Sequence, residues 1–168
     1  MKLDYSFFHR ECLTVARELV GKVLVRKTAG GEIRMRITET EAYCGEADTA
    51  CHAHKGRTQR TEVFYRRAGT IYVYLCYGIH WMLNLVTGEE GDPQAVLIRA
   101  GEGAAGPGRL TKKLGITGAQ NRQVIYQLED FWVEDDGFPC EVETGKRIGI
   151  GYASQEDQEK SWRFILKE

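Results

Sequence analysis

Long apolar runs are missing from this chain. The longest, such as Ile71 to Leu75 and Ala95 to Ile98, are of strand length, far short of the roughly 20 residues a membrane-spanning helix needs. The opening stretch from Met1 to His9 lacks the apolar segment of a secretory signal. Prolines number three, and there is neither an internal repeat nor a block of like charges, which argues against long disorder or a low-complexity tail. The five cysteines are odd in number and include no C-x-x-C pair; this argues against a disulfide scaffold and suits a reducing compartment. The expectation is a cytoplasmic (nucleoid) or nuclear protein, not secreted and with no membrane partner. At 168 residues, with 42% apolar, the chain is expected to form a single domain spanning residues 1–168 around one core.

Excess charge is also lacking, with a net value of −1. Taken alone this argues against nucleic-acid binding, since Lys and Arg supply most of the affinity for phosphate. The distribution is uneven, however. Residues 51–128 carry ten positive against five negative side chains, whereas residues 129–168 carry five against eleven. An acidic end therefore masks a basic middle, which permits a one-sided DNA-binding surface and equally permits ordinary clustering on a solvated one.

Phe8, Cys12, Val15 and Leu19 recur at helical spacing and stop at Gly21, which predicts an amphipathic helix. Residues 22–27 and 32–43, separated by Thr28 to Gly31, read as a β-hairpin. Strands are expected at 69–77, 81–87 and 94–100, with closing strands at 147–152 and 162–166. Short helices are expected at 61–67, 108–114 and 119–127. The class is α+β with a mainly antiparallel sheet.

Alternation along a strand puts Ile33, Met35, Ile37, Glu39, Glu41 and Tyr43 on one face. That face turns acidic at Glu39 and Glu41, so each carboxylate is either at a rim or held inside for a purpose. Asn84 falls in step with Met82 and Val86, and Arg99 with Ala95 and Leu97. If these strands are neighbours, Glu41, Asn84 and Arg99 converge as a base, an orienting amide and a fixed cation; otherwise they are three unrelated structural hydrogen bonds. Beside Arg99, Glu41 is expected to keep a low pKa and stay ionised, the state a general base requires. Tyr77, next to Gly78 at a tight turn, either stands proud as a wedge between base pairs or packs inward. Cys44, Cys51, His52 and His54 invite a zinc reading, but His52 and His54 diverge on a strand and sit poorly on a helix, so no metal is expected. Gly106 to Gly108, with Arg109, Lys112 and Lys113, either seats a phosphate at a helix start or forms a plain turn with a solvated basic face.

Taken together, Thr40-Glu41-Ala42-Tyr43, Asp48 through Ala53 and Lys55-Gly56-Arg57-Thr58 resemble the alkyladenine (3-methyladenine) DNA glycosylase family. The blocks 69–84, 95–100 and 106–110, and the opening helix 15–22, resemble further motifs of that family in the same order, so the likeness covers almost the whole chain. It implies a curved antiparallel sheet flanked by short helices, with a protruding β-hairpin. It further implies that Glu41 activates water with help from Arg99 and the main-chain carbonyl of Ile148. Tyr43, His52 and Tyr74 would surround a flipped base, Asn84 would line the pocket and reject some normal purines, and Tyr77 would be the intercalating wedge. Arg57, Gly108, Arg109 and Lys112 are expected on the DNA backbone. The reaction implied is single-step hydrolysis without cofactor, acting as a monomer on double-stranded DNA containing damaged purines and leaving an abasic site. Where relatives carry a longer charged segment, this chain has only the short linker 101–105. Two other readings stand beside this one: a damaged-DNA binding protein without catalysis, and a hydrolase of free nucleosides.

Overall fold

Glu11 turns its carboxylate onto the amides of Leu13 and Thr14 and so starts a helix there. That cap divides the expected helix. In the computed structural model, which describes residues 1–168, α1 covers Tyr5–Phe8 and α2 covers Cys12–Leu19. Phe8, Cys12, Val15, Ala16 and Leu19 nonetheless bury one continuous stripe in the main core.

Eight strands follow the predicted hairpins and extend them. They are β1 (Val23–Thr28), β2 (Gly31–Tyr43), β3 (Ile71–Cys76), β4 (His80–Thr87), β5 (Gln94–Gly101), β6 (Phe131–Glu134), β7 (Val142–Gly145) and β8 (Arg163–Leu166). Every pairing is antiparallel, in the order β3-β4-β5-β2-β1-β6, with β8 beside β2 and β7 beside β8. The result is a mixed α+β fold in which a curled half-barrel sheet carries a few short helices. Among these α3 spans Pro107–Leu114 and α4 spans Gln155–Glu159. The expected helices 61–67 and 119–127 are instead single 3-10 turns, at 61–65, 118–120 and 125–127.

Three strands sort their side chains cleanly by face. Ile71, Val73, Leu83, Leu85, Val96 and Ile98 belong to the main core. Tyr72, Val86 and Ala95 belong to a second, aromatic cluster with Phe64 and Tyr65, against which Tyr43 and Tyr74 rest. One face of the sheet therefore builds the core and the other a platform.

Strand β2 corrects the simple alternation. Its register with β5 shifts on both sides of Glu39, the signature of a β-bulge. Met35 and Ile37 before the break, and Ala42 after it, share the main core. Thr40 turns the same way, donating its hydroxyl to the Ala16 carbonyl of α2 at 2.7 Å. The parity has changed, so Glu41 does not share a face with Met35 and Ile37 but points to the platform.

A second correction concerns residues 147–152, which form no strand. Ile148 and Ile150 alternate as in a strand, but Gly149 between them has a φ of +75° that no extended strand tolerates. This segment is a loop between β7 and α4.

Candidate functional site

Register places Tyr72, Asn84, Leu97 and Glu41 in one row across β3, β4, β5 and β2. Glu41 and Asn84 are thus two strand spacings apart, roughly 10 Å. Glu41 and Leu97 of this row line a cavity of about 500 Å³, together with Tyr43, His52, Tyr74, Arg99, Ile148 and the exposed Tyr77. The strands that carry Glu41, Asn84 and Arg99 are indeed neighbours. A narrower recess of about 20 Å³ continues below it between Tyr43, His52, Phe64, Tyr72, Tyr74, Asn84 and Tyr152.

Glu41 has no solvent exposure. Its Oε1 accepts from the Tyr43 hydroxyl at 2.8 Å and its Oε2 from the Ile148 amide at 2.8 Å. The Arg99 Nε lies 3.8 Å from Oε2 and 3.2 Å from Glu39 Oε2. Burial raises the Glu41 pKa above the usual carboxylate value, and the Ile148 amide, Arg99 and the Tyr43 hydroxyl only partly oppose it. The expectation that Arg99 would hold it low is therefore corrected, because Arg99 is shared with Glu39 and the desolvation of a fully buried carboxylate outweighs it. The Ile148 N–H thus holds the carboxylate itself. A carboxylate has about four lone-pair directions, so after these contacts it can still accept a proton from water.

His52 and Tyr74 meet edge to face with ring centroids 4.6 Å apart, and with Tyr43 they line the same cavity. Burial, aided by the Arg60 cation, lowers the His52 pKa to about 4, so the ring is neutral at physiological pH. Arg60 Nε donates to the Tyr72 hydroxyl oxygen at 3.2 Å, and that oxygen is 3.0 Å from His52 Nδ1. Nδ1 and the Tyr72 hydroxyl thus share one hydrogen bond, whose direction follows the imidazole tautomer. Asn84 Nδ2 donates to the carbonyls of Tyr72 and Met82. Its orientation is thereby fixed, with the oxygen left to face the recess.

Tyr77 stands at the tip of the β3–β4 hairpin, 90% exposed. It and Gly78 have φ of +52° and +67° and are the central residues of a turn closed by the Ile79 amide on the Cys76 carbonyl at 3.0 Å. Leu75 and Ile79 flank it, both exposed. Just below the tip, where His80 pairs with Cys76, a side chain at Gly108 would strike the His80 ring, so the first turn of α3 packs against the hairpin. Arg109 and Lys112 are exposed on that helix. Arg57 is exposed on the loop before the 3-10 turn at 61–65, its guanidinium over the Tyr65 ring. His54 and His52 are occupied by the Glu46 carbonyl and Tyr72, and no three His, Cys, Asp or Glu side chains gather as a ligand set.

Sequence reasoning missed Arg60, Tyr152 and the Asp48–Arg147 pair. Tyr152 borders the cavity and anchors its hydroxyl on the Ala50 carbonyl at 2.7 Å. Arg147 and Asp48 are 99 residues apart and both buried, and no local pattern joins them.

The methylpurine-DNA glycosylase family model matches residues 6–105 and 102–168. Relatives whose names carry the words 3-methyladenine DNA glycosylase include one from Psychrobacter cryohalolentis, 46% identical over 95% of this chain and 89% of its own length. Another, from Borrelia garinii subsp. bavariensis, is 44% identical over 99% and 96%. A third, from Natranaerobius thermophilus, is 38% identical over 100% and 96%. A cavity walled by a buried carboxylate on a half-barrel sheet, in a chain with these relatives, defines the class as DNA glycosylase. The chain belongs to the methylpurine-DNA glycosylase family, the DNA-repair hydrolases of N-glycosyl bonds.

Proposed function

We propose that this protein swings an alkylated or deaminated purine out of duplex DNA into the platform cavity and hydrolyses its N-glycosidic bond with water activated by Glu41. The observation that carries this reading is that Glu41 and the wedge Tyr77 open onto one cavity, although Glu41 is fully buried and Tyr77 almost fully exposed. Duplex DNA engaged by Tyr77 at the mouth would bring an extruded nucleotide toward the carboxylate. The wedge would offset the few kcal/mol of unstacking by filling the vacated space.

In the bond-breaking step the glycosidic electron pair leaves with the base and the sugar gains oxocarbenium character, which the Glu41 carboxylate stabilises. Water adds to C1′ and gives its proton to Glu41, leaving an abasic site. An alkylated purine is already cationic and departs neutral, whereas hypoxanthine or ethenoadenine takes up a ring proton as it leaves. Neutral His52 is not that acid at physiological pH. Tyr43 and the His52–Tyr74 pair supply stacking surfaces, and the Asn84 oxygen disfavours purines that place an acceptor against it. Arg99 holds the carboxylate in one orientation. Arg57, Arg109, Lys112 and the Gly108 amide would meet DNA phosphates, since the three cations are exposed and Gly108 packs against His80 of the hairpin that carries Tyr77.

Single-turnover release of hypoxanthine, ethenoadenine and alkylated purines from duplex DNA tests the assignment. Glu41→Gln should lose base release by about 10²-fold or more and retain lesion binding. Undiminished release by that variant would remove Glu41 from the chemistry. Competition with undamaged duplex and with free nucleosides separates this reading from a nucleoside hydrolase, because only the glycosylase is inhibited by duplex.

A further inference from the structure

The loop that delivers the Ile148 amide has two glycines, Gly149 and Gly151, on either side of Ile150; on its far side it is held by burial of Ile150 with Ala50 and Ala153 and by the Tyr152 hydroxyl on the Ala50 carbonyl. On the side next to Ile148, Arg147 supplies the anchor. Its Nη1 donates to Asp48 Oδ2 at 2.6 Å and to the Ala42 carbonyl at 3.0 Å, while Nη2 donates to Asp48 Oδ1 at 3.0 Å and to the Asp157 carbonyl at 3.3 Å. Asp48 in turn accepts from the amides of Cys44 and Ala50, each at 3.0 Å. The guanidinium lies 5.0 Å from the Tyr43 ring centroid and 4.9 Å from that of Trp162, which faces its one unpartnered nitrogen, Nε, with aromatic surface rather than water.

The covalent neighbours give this pair its meaning. Ala42 follows Glu41 and Ile148 follows Arg147, so the Arg147–Ala42 bond ties together the two strands of chain that make the Ile148 N–H to Glu41 bond. We propose that the buried Asp48–Arg147 pair is a positioning element for the base, holding the Ile148 amide on Glu41 so that the carboxyl is both aimed and kept ionised. This rests on the reading of Glu41 as the group that activates water.

Several charged or titratable groups surround Glu41. Glu39 and Tyr43 come from its own strand, Arg99 from β5, Arg163, held by Glu39, from β8 and Tyr74 from β3. Arg147 and Tyr152 come from the loop, with Asp48 behind Arg147. Arg99 is divided between two carboxylates, so the Ile148 amide is the strongest single contact opposing burial. A donor to the charged form favours that form. Releasing the loop should therefore make Glu41 harder to ionise.

The pH dependence of single-turnover hypoxanthine release from duplex DNA tests this. Three variants are compared with wild type: Asp48→Asn, Arg147→Lys, and Ile148→Pro, which removes the amide proton and spares the ion pair. Each is expected to move the midpoint of the acid limb upward by about one pH unit, with much of the rate recovered at higher pH. A purely structural role would lower the rate at every pH and leave the midpoint in place. That result, in any variant shown by thermal unfolding to be folded, overturns the proposal. Glu41→Gln is run alongside: if it retains release, the reading of Glu41 fails, whereas loss of release in Glu41→Gln with unmoved midpoints in the others defeats the clamp alone.

Discussion

A carboxyl group sealed from solvent works against the fold that holds it. Because burial raises the folded-state pKa of Glu41 above its unfolded value, the folded protein binds this proton more tightly than the unfolded chain does. The associated stability is complete below the unfolded value and is lost as pH rises through the folded one. Glu41→Gln removes that loss while keeping the shape: the amide oxygen can accept from Ile148 and the NH₂ can donate to Tyr43. The variant is expected to melt above wild type at neutral pH, with each 1 kcal/mol worth about 2–4 °C, and the difference should vanish in acid. Scanning calorimetry at several pH values checks this. The same shift sets the activity profile. Base release should fall as pH is lowered through the raised Glu41 pKa, above the range of an ordinary glutamate.

At the scale of elements, the irregular pieces decide the site. The bulge in β2 turns Glu41 from the core to the platform and turns Thr40 into the core, where its hydroxyl meets the Ala16 carbonyl. Thr40→Val keeps the shape and orphans that carbonyl, so it should cost about 1–3 kcal/mol in urea unfolding. The β3–β4 hairpin behaves differently, because its tip contributes almost nothing to the core. Tyr77→Ala should leave stability within about 0.5 kcal/mol yet weaken lesion-duplex binding by about 1–3 kcal/mol, measured by fluorescence anisotropy. Elements written in local pattern were legible: α2 from its apolar stripe, the hairpins from their turns, and Tyr77 from its place beside Gly78. The bulge was not, since Ile33, Met35, Ile37, Glu39 and Glu41 alternate in the text as though the strand were regular. Nor was the 147–152 loop, where isoleucines mimic strand alternation and the deciding fact is a glycine φ. Strands β6 and β7 went unseen because each is four residues long and lies in acidic surroundings. In the site, Asn84 and Arg99 could be found by asking which polar groups interrupt apolar strand faces, whereas Glu41 was singled out on a face that the bulge takes it away from. Asp48 and Arg147 could not, because their meaning arises only when distant segments meet.

Over the whole molecule, the acidic end and the basic middle have different neighbours. Asp130, Glu134, Asp135 and Asp136 pair with Arg26, Arg34, Lys22 and Arg36, so cations on and beside β1 and β2 are largely neutralised at home. Lys55, Arg57, Arg60, Arg109 and Lys112 are exposed, available to a polyanion near the cavity and wedge. Lesion-duplex affinity should therefore decline linearly with log salt, and Arg57→Ala, Arg109→Ala and Lys112→Ala should each reduce the slope by about 0.9. Those three should weaken damaged and undamaged duplex alike, whereas Tyr77→Ala should leave the slope unchanged. One feature of the sheet reaches beyond catalysis. The edge of β2 at Glu39 to Glu41 is covered by β8, and Arg163 meets Glu39 across 124 residues of chain. A nascent polypeptide emerging from the ribosome therefore holds this edge of β2 without its own partner until residues 163–166 have been made, open to foreign pairing for most of its synthesis.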